Sequence, residues 1–230
     1  MSHILQVKDV SKEYQSGQHQ LTVLDKITFT IQPGETVAIV GPSGSGKTTL
    51  LGLCAGLDYP SRGQIILDHQ VLNDLDEDER ADLRNEKIGF IFQDFQLIPT
   101  LTAEENVSVP LELRGDKNAG AVSKSLLDRV GLSERSHHYP VQLSGGEQQR
   151  ICIARAFSTS PPILFADEPT GNLDEETGEQ IESLLFDLNR EKGTTLVIVT
   201  HDMELARRTN RIIRLKGGQI ISDQEVAAHA

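Results

Sequence analysis

The octapeptide Gly41-Pro42-Ser43-Gly44-Ser45-Gly46-Lys47-Thr48 carries the plainest chemistry in the chain. It fits G-x-x-x-x-G-K-[ST], in which glycines let backbone N–H groups turn inward around phosphate oxygens. Lys47 supplies a point charge to the β- and γ-phosphates, and the Thr48 hydroxyl is a ligand for Mg2+. The helix that follows, with Thr49 in its first turn, adds its positive N-terminus. A second place of this kind lies far downstream. Ser144-Gly145-Gly146 offers another run of backbone donors at the start of a helix. One nucleotide does not need two such cradles. The spare one suggests that each chain completes the nucleotide site of another, so that the working unit is a dimer.

Other polar residues stand where strands end. Ile163-Leu164-Phe165-Ala166-Asp167-Glu168 is an apolar strand closing on two acids. Asp167 is placed to reach Mg2+, and Glu168 to orient and deprotonate a water. The apolar strand Thr195–Thr200 ends in His201-Asp202. A histidine at the C-terminal edge of such a strand points into the crevice that holds the phosphates. Gln93 follows the strand Ile88–Phe92, where a neutral side chain that both donates and accepts can sense Mg2+ or water. The loop after it, with Phe95, Leu97, Ile98 and Pro99, is apolar enough to dock a partner. Tyr14, near the first strands, offers a ring that can stack on a purine.

These residues need elements to position them. The first 35 or so positions read as strands, from their β-branched and alternating residues. Thr36–Val40 is a buried strand feeding the glycine-rich loop, and a helix continues through Leu50–Leu57. A strand follows at Gly63–Leu67. Asp76 and Glu79 make a capping box for a helix reaching about Asn85. The acidic run there lacks the glycine and ligand pattern of a calcium loop. From about 103 to 158 the pattern is helical, broken at Gly115, Gly131 and Pro140. Beyond it, strands and helices alternate to Leu215. Alternating β and α segments at both ends imply a mostly parallel, covered sheet.

The chain has 230 residues, enough for one large α/β domain, and its 34 acidic against 22 basic side chains give a net charge of −12. That balance argues against a nucleic-acid partner, since phosphate backbones select basic surfaces. The apolar runs are strand-sized and fall short of the ~20 residues that span a bilayer. The N-terminus lacks a basic segment followed by an apolar one, so no signal peptide is expected and the expected compartment is the cytoplasm. Cys54 and Cys152 sit in apolar helical surroundings and read as buried, reduced thiols. His137-His138 reads as a solvated pair.

Together these residues resemble the ATP-binding subunit of ATP-binding-cassette (ABC) transporters, over about residues 4–221. Gly41–Thr48 is similar to the Walker A loop, Ile163–Glu168 to the Walker B strand and Leu143–Arg150 to the signature motif. Gln93 resembles the Q-loop, Asn172-Leu173-Asp174 the D-loop, His201 the H-loop and Tyr14 the stacking aromatic. No position in these motifs departs from the pattern of an active enzyme. Phe95–Val107 and Asp167–Asp174 resemble the lipoprotein-release and macrolide-export branch (LolD/MacB type), and within it the YbbA-type proteins. The resemblance implies an α/β P-loop NTPase core with a mostly parallel sheet, an N-terminal antiparallel β-subdomain and an inserted helical subdomain at about 94–160. The single domain is expected over 4–222, with a frayed tail over 223–230.

The resemblance also implies a mechanism. Two cassettes close head to tail around two Mg-ATP, with Ser144, Gly145, Gly146 and Glu147 of one chain meeting the nucleotide held by Lys47 of the other. Asp174 would lie in the D-loop. Hydrolysis reopens the dimer, and the loop after Gln93 passes the movement to a membrane permease of FtsX/MacB-like type. The cassette would sit on the cytoplasmic face of the inner membrane through that partner, in export, lipid or lipoprotein extraction, or force transmission. The rival is a soluble ABC ATPase acting on nucleic acid or the ribosome. Those usually carry a long coiled coil or two fused cassettes, and neither is present. P-loop kinases and GTPases lack the segment 143–150.

Overall fold

The computed structural model describes residues 3–17 and 19–226. Along the chain the elements are β1 (Leu5–Ser16), β2 (His19–Ile31), β3 (Thr36–Val40), α1 (Lys47–Cys54), β4 (Arg62–Leu67), β5 (Gln70–Val71), α2 (Glu77–Lys87), β6 (Ile88–Ile91), α3 (Ala103–Leu113), α4 (Ala119–Arg129), α5 (Gly145–Ser158), β7 (Ile163–Asp167), α6 (Glu175–Lys192), β8 (Thr195–Thr200), α7 (Met203–Arg207), β9 (Arg211–Lys216) and β10 (Gln219–Glu225). They fall into two compact units. One runs to Arg84 and resumes at Thr195; the other is Asn85–Thr194.

In the first unit an antiparallel sheet has the order β2-β1-β4-β5. Its inner face carries Leu5, Val7, Leu24, Ile31, Ile65 and Leu67, all fully buried. Beside it, β3 pairs in parallel with both β8 and β9. A parallel strand flanked on both sides is covered on both faces, which accounts for the uninterrupted apolar runs of β3 and β8. Ala206 of α7 packs on Ala38 and Val40 of β3. Arg80 is fully buried on α2. Its guanidinium donates to Leu72 O at 3.1 Å and Asp58 O at 3.2 Å, and stacks 3.6 Å from the Tyr59 ring centroid. The Asp76–Glu79 capping box forms at 2.9 Å in both directions.

In the second unit β6 pairs in parallel with β7. Helices α3, α4 and α5 fill the stretch expected to be helical, but the compact unit is wider than 94–160, because β6, β7 and α6 belong to it. Thr102 caps α3 and Ser144 caps α5, each in a reciprocal box with the glutamate three residues on. The mostly parallel α/β reading with an antiparallel N-terminal sheet holds. Fraying from residue 223 does not. Asp223–Glu225 continue β10 against β9, and Val226 N–H bonds to Asn210 O at 2.8 Å. This edge strand is mostly polar, so its sequence gives little apolar alternation. Residues 227–230 lie outside the described residues.

Both cysteines are buried and unpaired. Burial pushes both thiols up, that of Cys152 to about 12, so neither is a nucleophile. Among the described residues no helix is long and apolar enough to cross a membrane.

Candidate nucleotide site

The phosphate loop is shaped by its neighbours as well as its own turns. β3, buried from Val37 to Val40, delivers Gly41, and α1 opens at Lys47. Gly46 stands at φ 96, and a Cβ there would lie 2.7 Å from Leu24 Cδ2 and 2.9 Å from Val23 O. A Cβ on Gly41 would lie 2.2 Å from Leu215 O. Glycine is therefore required at both positions, by close approach and at Gly46 also by φ. Lys47 is 8% exposed, and its ammonium donates to Gly41 O at 2.9 Å and Pro42 O at 3.2 Å. The ammonium is thus held over the mouth of the loop that Pro42, Ser43, Gly44 and Ser45 form. Ser45 Oγ is buried without a hydrogen-bond partner, a polar atom in keeping with a cradle made for a polar ligand.

His201 follows β8, and Asp202 explains its placement. Asp202 Oδ1 caps α7, accepting from Glu204 N at 2.7 Å and Leu205 N at 3.4 Å. The cap fixes the strand-to-helix corner on which His201 stands. His201, Gly41 and Pro42 line one cleft of about 500 Å³ within this unit.

Tyr14 is 42% exposed on β1. Its hydroxyl donates to Asp58 Oδ2 at 3.1 Å, and Lys12 Nζ stands 4.9 Å from its ring centroid. Lys12 also pairs with Asp58 at 2.7 Å and donates to Tyr59 O at 2.7 Å. Burial alone would raise the Asp58 carboxyl, but hydrogen bonds from Lys12 and the Tyr59 N–H outweigh it and hold the group below the usual carboxylate range. Tyr14 is raised, first by burial and then by Asp58. Lys12 and Asp58 were not expected from sequence. Far apart along the chain, they meet only because β1 lies beside the turn after α1.

The second unit gathers the other motifs. Asp167 ends β7, and Glu168 follows at φ 47, in the left-handed region that a non-glycine residue seldom adopts. Gly171 N donates to Glu168 O at 3.0 Å, closing the turn. Asn172 Nδ2 donates to Gln93 O at 2.9 Å, which ties Gln93 to the segment after Glu168. Phe95 and Gln96 also have positive φ, 59 and 48. Arg155 holds their carbonyls at 3.0 and 2.8 Å. Asn106 is buried and bonds four times to the backbone of Ile98, Leu101 and Thr102. The apolar loop is thus fastened from below, with Ile98 40% exposed.

Ser144 caps α5. Its Oγ accepts from Glu147 N at 3.3 Å, and Glu147 Oε2 accepts from Ser144 N at 2.9 Å. That bond, aided by Arg135, holds the Glu147 carboxylate below its ordinary range. The N–H groups of Gly145 and Gly146 belong to the first turn, where a helix supplies no partner of its own. Asp174 caps α6, accepting from Thr177 N at 3.0 Å, and that bond lowers its pKa.

The phosphate loop, Thr48, Thr49, His201 and Tyr14 therefore lie in the first unit, and Gln93, the 144–147 cap, Asp167, Glu168 and Asp174 in the second. The model of the ABC transporter family matches residues 24–171. The chain belongs to the ABC transporter family. Its cassette is 52% identical to the ABC transporter ATP-binding protein YbbA of Escherichia coli K12, over 95% of this chain and 96% of that one. It is 47% identical to the lipoprotein-releasing system ATP-binding protein LolD of Idiomarina loihiensis, over 96% and 98%. A solved dimer of the Methanocaldococcus jannaschii cassette MJ0796, in a post-hydrolysis state bound to ADP and Pi, matches with a TM-score of 0.90 and 43% identity, over 97% of this chain and 99% of that one. The cassette is thus an ATP-binding ATPase of the LolD/MacB-type branch, with the ABC ATPase fold.

Proposed function

We propose that this cassette powers a membrane permease by closing as a homodimer on ATP and reopening after hydrolysis. The observation that carries the reading is the pair of phosphate-ready sites. A chain that already has the 41–48 loop also presents the Gly145 and Gly146 N–H groups at the capped start of α5. One chain's α5 N-terminus then completes the site that Lys47 of the other chain founds. The solved MJ0796 cassette is a dimer bound to ADP and Pi, which supports a working unit of two chains.

Each residue has a task. Tyr14 stacks on the base, held by Asp58. The loop from Gly41 to Gly46 and the N-terminus of α1, with Thr49, surround the phosphates. Lys47 exchanges the Gly41 and Pro42 carbonyls for phosphate oxygens. Thr48, Asp167 and Gln93 would hold Mg2+: a hydroxyl, a carboxylate and an amide oxygen form the hard-oxygen donor set that suits it. When bound, Mg2+ neutralises charge on the β- and γ-phosphates. Glu168 takes a proton from the attacking water, and His201 steadies the γ-phosphate and that water. Ser144, Gly145, Gly146 and Glu147 act in trans, and Asp174 lies in the D-loop.

The branch points to a partner. Identity to LolD and to the ATP-binding/permease protein MacB supports a membrane permease partner; in this proposal it is FtsX/MacB-like, docks on the loop after Gln93 and holds the cassette on the cytoplasmic face of the inner membrane. The function is then export, extraction of lipid or lipoprotein, or force transmission. Nothing in these relatives favours action on nucleic acid or ribosomes. The general base is the point to test. Glu168→Gln should lower ATP turnover by roughly 10²–10⁴-fold, the usual worth of a general base, and preserve ATP binding. Turnover near the wild-type rate would reject the assignment.

A further inference from the structure

Gln149 lies on the inner side of α5, within the signature-like segment 143–150 but outside the group Ser144–Glu147 proposed to act in trans. Its side chain is fully buried. Nε2 donates to Pro169 O at 2.7 Å, while Oε1 is buried with no partner. Pro169 O can only accept, so the amide's donor end must face it. A half-satisfied buried amide carries a desolvation cost, and an apolar side chain of the same length would avoid it. As core packing, Gln149 is a poor choice.

What the amide holds is the turn of the general base. Pro169 follows Glu168, whose backbone sits at φ 47. Such a conformation persists only where the surroundings over-determine it. On the far side Gly171 N binds Glu168 O at 3.0 Å; on the near side Gln149 binds the next carbonyl. The rest of the α5 start allows little slack. A Cβ on Gly146 would lie 2.6 Å from Thr177 Cγ2, and one on Gly145 3.4 Å from Leu173 Cδ2. The start of α5 thus packs against Leu173 and Thr177, in the stretch that follows Glu168.

We infer that Gln149 is a positioning residue that fastens the Glu168 turn to α5. The helix end that meets the nucleotide of the partner chain thereby also sets the general base of its own chain, so each of the two sites in the dimer is felt at the other. The inference rests on the roles proposed above for Glu168 and Ser144.

Two substitutions in the full chain test it by steady-state ATP hydrolysis. Gln149→Met keeps the shape and removes the donor. The expected result is a kcat at least tenfold lower, KM for ATP within about twofold and a melting temperature no lower than wild type, the split that marks loss of an interaction made in the transition state. Gln149→Glu places a carboxyl in the same buried site. Burial raises its pKa, and only the protonated form can donate to Pro169 O. Its kcat relative to wild type should therefore rise as pH falls from about 9 to about 6. A Gln149→Met enzyme within about twofold of the wild-type kcat overturns the inference, as does a Gln149→Glu kcat that stays low at every pH down to about 6. Glu168→Gln measured alongside separates the two layers. Wild-type turnover there removes the reading beneath; an inactive Glu168→Gln with an unaffected Gln149→Met removes this inference alone.

Discussion

Glu168, Lys47 and Tyr14 show three ways in which a side chain is held ready for the task proposed for it. Glu168 is held by a strained backbone, Lys47 by carbonyls of its own loop, and Tyr14 by Asp58 and Lys12. If Tyr14 stacks on adenine, Tyr14→Ala should raise KM for ATP by roughly 5- to 150-fold, from ~1–3 kcal/mol of stacking, with kcat nearly unchanged. Tyr14→Phe keeps the ring and should stay within a few-fold of wild type; equal defects in both variants would mean that the hydroxyl, rather than the ring, is what matters. The phosphate loop was legible from residue types at a fixed spacing, and Asp167, Glu168 and His201 stood out as polar residues at the ends of apolar strands. Lys12, Asp58 and Gln149 were not legible. Their value depends on tertiary neighbours, Asp58 across the β1 pairing and Gln149 across the packing of α5, and no local pattern encodes either.

At the scale of elements, caps and close approaches place the motifs. Ser144, Asp174 and Asp202 each accept from a backbone N–H at the start of a helix. The residues at these helix starts are therefore fixed by the cap as well as by any contact with nucleotide. Asp174→Ala should cost about 1 kcal/mol of stability through the lost cap, read as a lower melting temperature. Gly46→Ala should destabilise by at least 1–3 kcal/mol or so, because it combines φ 96 with a Cβ at 2.7 Å from Leu24. A Gly46→Ala protein as stable as wild type would show that the loop yields to that contact. Long apolar strands and helices with caps were readable from periodicity and punctuation. β10 was not, because an edge strand needs only one partner and can be polar along most of its length.

The whole molecule is acidic, at −12, yet presents two places suited to phosphate. Both are built from backbone N–H groups and helix termini as much as from charged side chains, so overall charge does not decide them. The division into units was only partly legible. Helices at 103–158 were expected, but the compact unit spans Asn85–Thr194, because β6, β7 and α6 pack with those helices rather than apart from them. The solved MJ0796 cassette is a dimer, which agrees with a chain that works in pairs. The claim at this scale is that Ser144 serves a nucleotide bound by another copy. Sedimentation of Glu168→Gln with ATP, compared with the double variant Glu168→Gln/Ser144→Arg, tests it most directly when bound nucleotide is counted in each fraction. The single variant should sediment as a dimer with two ATP, and the double variant should stay monomeric while still holding one ATP per chain. A double variant that dimerises as well as the single one, or a monomer that has lost its ATP, would contradict it.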